Sequence, residues 1–147
     1  MKAVIFDFNR TLYDPEQDKL IKGSSKVLNT LYKKTKLALV TTETGERLGL
    51  IKQLGIEKFF NKILIVGEKD KKSFLACCDA LGVQPQDAVV VGDRIKGEIA
   101  IGNKLGMVTI QFKNGIFADQ LPENEGEKPK MVITKLVDLL KILSDLK

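Results

Sequence analysis

Short apolar runs, rich in β-branched residues, alternate with amphipathic stretches of helical periodicity along the 147 residues of the chain. The runs with strand character are Ala3–Phe8, Leu37–Thr41, Lys62–Val66, Ala88–Val91, Met107–Phe112 and a short edge run, Met131–Ile133. Strands that alternate with helices run parallel, and the helices then cover both faces of the sheet. The sequence therefore predicts a three-layer αβα, doubly wound, Rossmann-like α/β fold. There are too few units for an eight-stranded barrel, so we predict a single domain over residues 1–147.

Residues that commonly cap helices mark the expected helix ends. The candidates at helix starts are Ser24 or Ser25, Thr44 and Asp70. The candidates just beyond helix ends are Gly55, Gly82 and Gly106. The residues of the second helix expected to face the core are Leu48, Leu50, Ile51 and Leu54. An irregular segment is predicted between the first strand and Gly23, and a surface loop over 113–130.

The chain contains no histidine. This excludes a Ser-His-Asp triad, a Cys-His pair, a histidine-ligated zinc site and a histidine general base. Any enzymatic chemistry in this chain would have to use carboxylates, lysines, hydroxyl groups or a hard metal ion.

The formal net charge is +5, and most of the positive charge comes from lysines in short groups among acidic residues. This pattern favours a solvated lysine-rich surface over an anion-attracting one, although a basic surface would also suit an anionic substrate. Clustered arginines and stacking aromatic residues, which are typical of nucleic-acid recognition, are missing, so we find no specific nucleic-acid signal.

Cys77 and Cys78 are adjacent, so a disulfide framework across the chain is not expected. We expect one of them to face the core and the other to lie on a helix flank. An acidic residue interrupts the first apolar residues too soon for a signal peptide, and no apolar run approaches the length of a membrane helix. We therefore expect a cytoplasmic protein without a membrane segment.

Polar residues follow four of the predicted strands, at the sheet edge where doubly wound folds bind ligands. They are Asp7 to Leu12 after the first strand, Thr41-Thr42 at the end of the second, Lys69, Lys71 and Lys72 after the third, and Gly92-Asp93 with Glu98 after the fourth. Each of these has an ordinary explanation when taken alone, because strand-end acids form turns and most lysines are solvated. In this order and at these places, however, the set resembles the haloacid dehalogenase-like superfamily of hydrolases, most of which are phosphatases. The resemblance covers nearly the whole chain.

The resemblance implies a role for each matching residue. Asp7 would attack phosphorus and form an aspartyl-phosphate. Asp7, Asp93 and the backbone carbonyl of Asn9 would hold Mg²⁺, with Glu98 holding metal-bound water or Asp93 from behind. Thr41 would donate a hydrogen bond to a phosphoryl oxygen. Thr42 is a further candidate for contacting the substrate.

The resemblance also implies a lysine that neutralises charge in the transition state, and its position is open. Counting back from Phe74 points to position 68, which is Glu68 in this chain. A slip of one residue selects Lys69, which we favour as the catalytic lysine. Lys71, at the start of the third helix, is the alternative and a candidate for substrate binding.

The chain departs from the family pattern at Asn9, where phosphatases of the family usually carry a second aspartate acting as general acid and base. An amide cannot deliver and recover a proton at neutral pH, and losing such help costs about 10²–10⁴ in rate. The chain could then be a phosphatase restricted to activated phosphates, a non-hydrolytic phosphate- or phosphoprotein-binding module, or a dehalogenase. Asp93 and Glu98 argue against the dehalogenase, since halide displacement needs no Mg²⁺ site. Arg10, where the family often has glycine, either contacts an anionic substrate or pairs with a nearby acid.

Family members that act on small metabolites often carry a lid domain, inserted before the second strand or before the catalytic lysine. Neither stretch of this chain has room for one, so we expect no cap domain and an open site. An open site admits bulky phosphorylated substrates, macromolecular ones included, and a second copy of the chain could close it.

Overall fold

A computed structural model of the chain describes residues 1–43 and 45–146. Its strands are β1 (Ala3–Asp7), β2 (Tyr13–Asp14), β3 (Lys19–Leu20), β4 (Lys36–Thr42), β5 (Lys62–Val66), β6 (Ala88–Gly92), β7 (Val108–Phe112) and β8 (Met131–Ile133). Its α-helices are α1 (Ser24–Leu31), α2 (Arg47–Gln53), α3 (Lys71–Leu81), α4 (Ala100–Lys104) and α5 (Asp138–Asp145).

A parallel sheet of six strands, in the order β5-β4-β1-β6-β7-β8, forms the middle layer. β1 lies at the centre, where Ala3 pairs with Lys36 on one side and Ala88 on the other. Helices α1, α2 and α5 pack on one face through a core that includes Leu28, Ile51 and Leu139. Helices α3 and α4 cover the other face. The predicted three-layer αβα fold is confirmed.

The predicted strands are confirmed to within a residue at each end. The last helix buries Leu139 and Leu143, and Leu136 is buried in the turn just before it. The caps of α3 are also confirmed. Asp70 accepts a hydrogen bond from the Ser73 backbone N–H at 2.9 Å, and the Ser73 hydroxyl accepts one from the Asp70 N–H at 3.0 Å. Gly82 ends the helix with a left-handed φ of 68°. These features are local in sequence, which is why the sequence predicts them.

Two predictions at the other helices are wrong. Gly23, not Ser24 or Ser25, occupies the N-cap position of α1, because the Ser24 hydroxyl instead donates to the Leu12 carbonyl at 2.8 Å. In α2, Leu48 is 42% exposed while Arg47 is buried. The predicted cap of this helix, Thr44, lies outside the described residues, and the helix itself begins at Arg47.

Both cysteines are buried in the core beneath α3, so the expectation that one would lie on a helix flank is wrong. Neither is in a disulfide. Burial raises the pKa of the Cys77 thiol to about 12, which makes it a poor nucleophile at neutral pH.

The segment between β1 and α1, expected to be irregular, contains the short antiparallel hairpin β2–β3. The stretch between β4 and β5 contains α2 and a 3₁₀ turn over Glu57–Phe59. Within the described residues, none of the helices has the length and apolar character needed to cross a lipid bilayer.

We predict that Asp70→Ala lowers the free energy of unfolding by about 1 kcal/mol, because α3 loses the side chain that satisfies its first N–H groups. Urea denaturation followed by circular dichroism would measure the change. Asp79→Ala is the matched control, since Asp79 is an exposed aspartate of the same helix, away from its start. Equal stability of the two variants would contradict the capping assignment.

Candidate active site

Asp7 lies at the carboxyl end of the central strand β1, and its carboxylate is buried. The chain turns immediately afterwards, because the Phe8 carbonyl accepts hydrogen bonds from the N–H groups of Leu12 and Tyr13 at 2.9 and 3.1 Å. This turn returns the buried Thr11 to Asp7, where the Thr11 hydroxyl donates to Asp7 Oδ2 at 3.1 Å. The other oxygen, Oδ1, forms an ion pair with Lys69. Both oxygens of Asp7 are therefore held in place.

The second acidic pair follows β6, where Gly92 precedes Asp93. A π-type turn over Ile95–Ile99 brings Glu98 back towards the strand. The Glu98 carboxylate, through Oε1, accepts the backbone N–H groups of Asp93 at 3.1 Å and Arg94 at 3.2 Å. A Cβ atom added at Gly92 would lie 2.1 Å from Glu98 Cγ. Glycine at position 92 thus makes room for the carboxylate that holds the Asp93 loop.

Asp7, Asp93 and Glu98 offer carboxylate oxygens that lie within 4.8 Å of one another, and all three residues are buried. Burial and the neighbouring Asp7 carboxylate raise the pKa of Asp93 to about 10. The same two causes raise the pKa of Glu98. The protein's own groups therefore do not fully neutralise the negative charge of the cluster. Positive charge close to it favours the ionised form of the carboxylates.

Lys69 is the lysine that reaches the cluster. Besides its ion pair with Asp7, its Nζ lies 3.6 Å from Glu98 Oε2. Burial would lower the pKa of Lys69, but the carboxylates of Asp7 and Glu98 outweigh it and raise this pKa above its usual range. Lys71, the alternative, is exposed on the first turn of α3, and Glu68 lies at the cleft as an exposed residue.

Thr41 and Thr42 end β4 beside β1, and Thr41 is buried. The Thr41 hydroxyl donates only a long hydrogen bond of 3.3 Å, to the Thr42 carbonyl. The same carbonyl accepts from Arg47 Nε at 3.3 Å, and the Arg47 guanidinium stacks on the Phe8 ring at 4.8 Å. Arg47 thereby joins the end of β4 to the loop that follows Asp7.

Asn9 and Arg10 form the turn after Asp7. Arg10 has a left-handed φ of 64°, which suits glycine better than a residue with a side chain. Its Nε forms an ion pair with Glu16 at 3.1 Å, so one of its two expected roles, pairing with an acid, is observed. Asn9 is half-buried, and its Oδ1 has no hydrogen-bond partner among the described residues.

These residues surround one open cleft of about 450 Å³ at the carboxyl edge of the sheet. Its lining includes most of the predicted site residues and several others. The predicted ones are Asp7, Asn9, Arg10, Thr41, Thr42, Lys69, Asp93 and Glu98. The others are Gly67, Glu68, Arg94, Lys96, Gly97 and Phe117. Of the predicted site residues, Lys71 is not part of this lining. The expectation that a second copy of the chain could close this cleft stays a prediction.

The acidic cluster fits a hard divalent cation. Carboxylate oxygens are the ligands that Mg²⁺ prefers. Asp93 Oδ2 is buried and, within the described chain, accepts no hydrogen bond, so one ligand atom is uncommitted. With all three acids ionised, the cluster carries two more negative charges than Lys69 balances, which one divalent cation would neutralise.

Comparison with known proteins agrees with this geometry. A model of the haloacid dehalogenase-like hydrolases matches residues 7–112, from the candidate nucleophile to the end of β7. A glyceraldehyde 3-phosphate phosphatase of Methanopyrus kandleri is 34% identical over 99 residues, which are 64% of this chain and 42% of that protein. An N-acylneuraminate-9-phosphatase of Mus musculus is 27% identical over 126 residues, 82% of this chain and 50% of that protein. The chain thus spans about half the length of the curated relatives it matches.

Solved structures share the fold over the whole chain. A 2-haloacid dehalogenase from Pseudomonas syringae superposes with a TM-score of 0.84 at 16% identity, covering 100% of both chains. A haloacid dehalogenase-like phosphatase from Thermococcus onnurineus gives a TM-score of 0.82 at 19% identity, over 97% of this chain and 98% of that one. At these identities the structures show a common fold and no common substrate. Since the family model covers most of the chain and begins at the buried aspartate of the acidic cluster, the chain belongs to the haloacid dehalogenase-like hydrolase family.

Proposed function

We propose that this chain is a magnesium-dependent phosphohydrolase that works through an aspartyl-phosphate on Asp7. The observation that carries the proposal is the arrangement of Asp7, paired with Lys69 and held by Thr11, within a buried cluster with Asp93 and Glu98. The names of the relatives support it, since they are phosphatases of small phosphate esters.

The metal would be held by Asp7, Asp93 and the backbone carbonyl of Asn9, with Glu98 positioning the Asp93 loop. When bound, Mg²⁺ would supply the positive charge that lets an anionic phosphate approach an anionic nucleophile. The uncommitted Asp93 Oδ2 and the excess negative charge of the cluster support this assignment.

The chain's own groups account for the remaining steps. A carboxylate oxygen of Asp7 attacks phosphorus, the bond from phosphorus to the ester oxygen breaks, and the leaving group departs with the electron pair of that bond. Lys69 and the Thr41 hydroxyl stabilise the charge that develops on the phosphoryl oxygens. Water then attacks the phosphorus of the aspartyl-phosphate, and the bond from phosphorus to the Asp7 oxygen breaks, which restores the carboxylate. Inorganic phosphate leaves, and the proton of the water passes to the phosphate oxygens or to solvent, since Asn9 cannot accept it.

Position 9 decides which leaving groups the site can handle. Asn9 cannot give a proton to the departing oxygen. Substrates whose leaving group is stable as an anion, such as aryl phosphates, do not need that proton. We therefore propose that activated phosphates are hydrolysed faster than alkyl esters, by up to the 10²–10⁴ that general acid–base help contributes.

The second candidate function is binding of a phosphate ester or phosphoprotein without hydrolysis, and the amide at Asn9 is the observation that favours it. Both functions need a phosphorylated partner. The open cleft of about 450 Å³ suits a whole small phosphate ester, and its mouth also suits a phosphorylated end of a macromolecule. Turnover separates the two functions, since only the first releases inorganic phosphate.

Hydrolysis of an aryl phosphate in the presence of Mg²⁺ tests the proposal directly. We expect release of inorganic phosphate that stops on removal of the metal with a chelator, and a loss of at least about 10³-fold in Asp7→Asn, which lacks the nucleophilic carboxylate. Lys33→Gln, at an exposed residue outside the cleft lining, is the control for an intact protein. Turnover that is the same in Asp7→Asn as in the original chain would refute the mechanism.

Asn9→Asp is expected to raise turnover of an alkyl phosphate ester by about 10- to 100-fold, because it introduces a group able to protonate the leaving oxygen. Turnover of the aryl phosphate should change much less. The ratio of the two rates, measured on both proteins, is the readout. A rate on the alkyl ester that stays flat or falls would show that position 9 is not the missing acid. Binding without turnover in both variants would favour the second candidate function.

Gly92→Ala is expected to weaken Mg²⁺ binding at least about 10-fold, because the added methyl group occupies the space of the Glu98 side chain and frees the Asp93 loop. Isothermal titration calorimetry would measure the affinity, with circular dichroism to confirm folding. In Gly67→Ala, a Cβ added at another cleft glycine meets no atom within 4 Å, so the affinity should be retained. Equal affinities of the two variants would contradict the role given to Glu98.

A further inference from the structure

The cleft has an acidic floor, and at its mouth three cationic residues face one exposed acid, Glu68. Its floor holds the cluster of Asp7, Asp93 and Glu98, with Lys69 as counter-charge. Its remaining cationic lining residues are Arg10, Arg94 and Lys96. A single phosphate on the floor does not account for this second group of positive charges.

Two of the three cations at the mouth already have carboxylate partners in the protein. Arg10 pairs with Glu16 at 3.1 Å. Lys96 pairs with Glu123 at 3.0 Å and with Glu127 at 3.3 Å. Arg94 differs, because no carboxylate among the described residues lies within ion-pair distance of its guanidinium.

Arg94 is nevertheless held in place at the cleft. It follows Asp93 directly, and its backbone N–H is bound to the Glu98 carboxylate. Its guanidinium lies over the Phe117 ring, 4.5 Å from the centroid. Stacking on an aromatic ring restrains the plane of a guanidinium and leaves the N–H groups at its edge free to bind a ligand.

A planar guanidinium with free edges binds an oxyanion through two parallel hydrogen bonds. We infer that Arg94 is a specificity-determining residue and binds a second anionic group, a carboxylate or a phosphate, on a small phosphate ester whose reacting phosphate lies at Asp7. This inference rests on the proposed function, since it assumes that a phosphate occupies the floor of the same cleft. The substrate class it names is a phosphate ester that carries a second anionic group, a carboxylate or another phosphate.

Binding in Mg²⁺, measured by titration calorimetry, tests the inference without depending on turnover. 3-Phosphoglycerate and glycerol 3-phosphate are a matched pair, because they differ in having a carboxylate or a hydroxymethyl group at one end. Fructose 1,6-bisphosphate and fructose 6-phosphate make the same comparison for a second phosphate. We expect at least one ester with a second anionic group to bind about 10- to 100-fold more tightly than its counterpart without that group, and the pair concerned identifies the anion.

Arg94→Gln should abolish that preference, and Arg94→Lys, which keeps the charge but loses the planar pair of donors, should retain only part of it. Lys33→Gln removes the same charge from an exposed residue outside the cleft lining and should retain the full preference. A preference that is absent in the original chain, or unchanged in Arg94→Gln, would overturn the inference while leaving the proposed hydrolysis intact. Absence of both aryl phosphate hydrolysis and binding of every ester would instead refute the proposed function and, with it, the inference.

Discussion

Three buried carboxylates close together are the constraint on which this site depends. Asp7, Asp93 and Glu98 repel one another in surroundings that screen charge poorly. The nearby groups all relieve that repulsion: Lys69 pairs with Asp7, Thr11 donates to its second oxygen, and two backbone N–H groups point at Glu98. Such an arrangement lowers the stability of the fold compared with an apolar core, so its presence is best understood through the chemistry it allows.

In the loop after β1, the groups that fix the geometry differ from the side chain that would transfer protons. Its shape is set by the backbone: the Phe8 carbonyl accepts several N–H groups, and the Arg10 N–H donates to the Tyr13 carbonyl at 2.6 Å. The side chain of Asn9 takes no part in these bonds. The residue at position 9 can therefore change the handling of protons without moving Asp7.

Features with local causes could be predicted from the sequence, and features that depend on distant contacts could not. The strands and the capped helix α3 follow from periodicity and from Asp70 and Gly82. The hairpin β2–β3 could not be predicted, because two-residue strands show no periodicity. Arg47 is buried in place of Leu48 because the Thr42 carbonyl and the Phe8 ring hold it. The hydrophobic periodicity of α2 does not predict either of these contacts.

The same division holds at the site. Parallel topology brings the strand ends after β1 and β6 to one edge of the sheet, and the resemblance to the haloacid dehalogenase-like superfamily implies that Asp7, Asp93 and Glu98 form one site there. Thr11 and Phe117 could not be predicted. Thr11 reaches Asp7 through a turn whose backbone hydrogen bonds cannot be predicted from the spacing of residues in the sequence. Phe117 reaches the cleft because its loop folds back onto residues far away in sequence, as the 3.1 Å bond from Asn114 Nδ2 to the Arg10 carbonyl shows.

The central place of β1 has a consequence for the order in which the molecule assembles. Ala3 and Ala88 are neighbours in the sheet but 85 positions apart along the chain. A ribosome-bound chain would therefore display the strand carrying Asp7 long before its second flanking strand has been made. Asp7 emerges among the earliest residues of this stretch and reaches its final surroundings only after Glu98 has been synthesised. Long-range closure of this kind slows folding, and it means that no shorter fragment ending before that glutamate contains the complete acidic cluster.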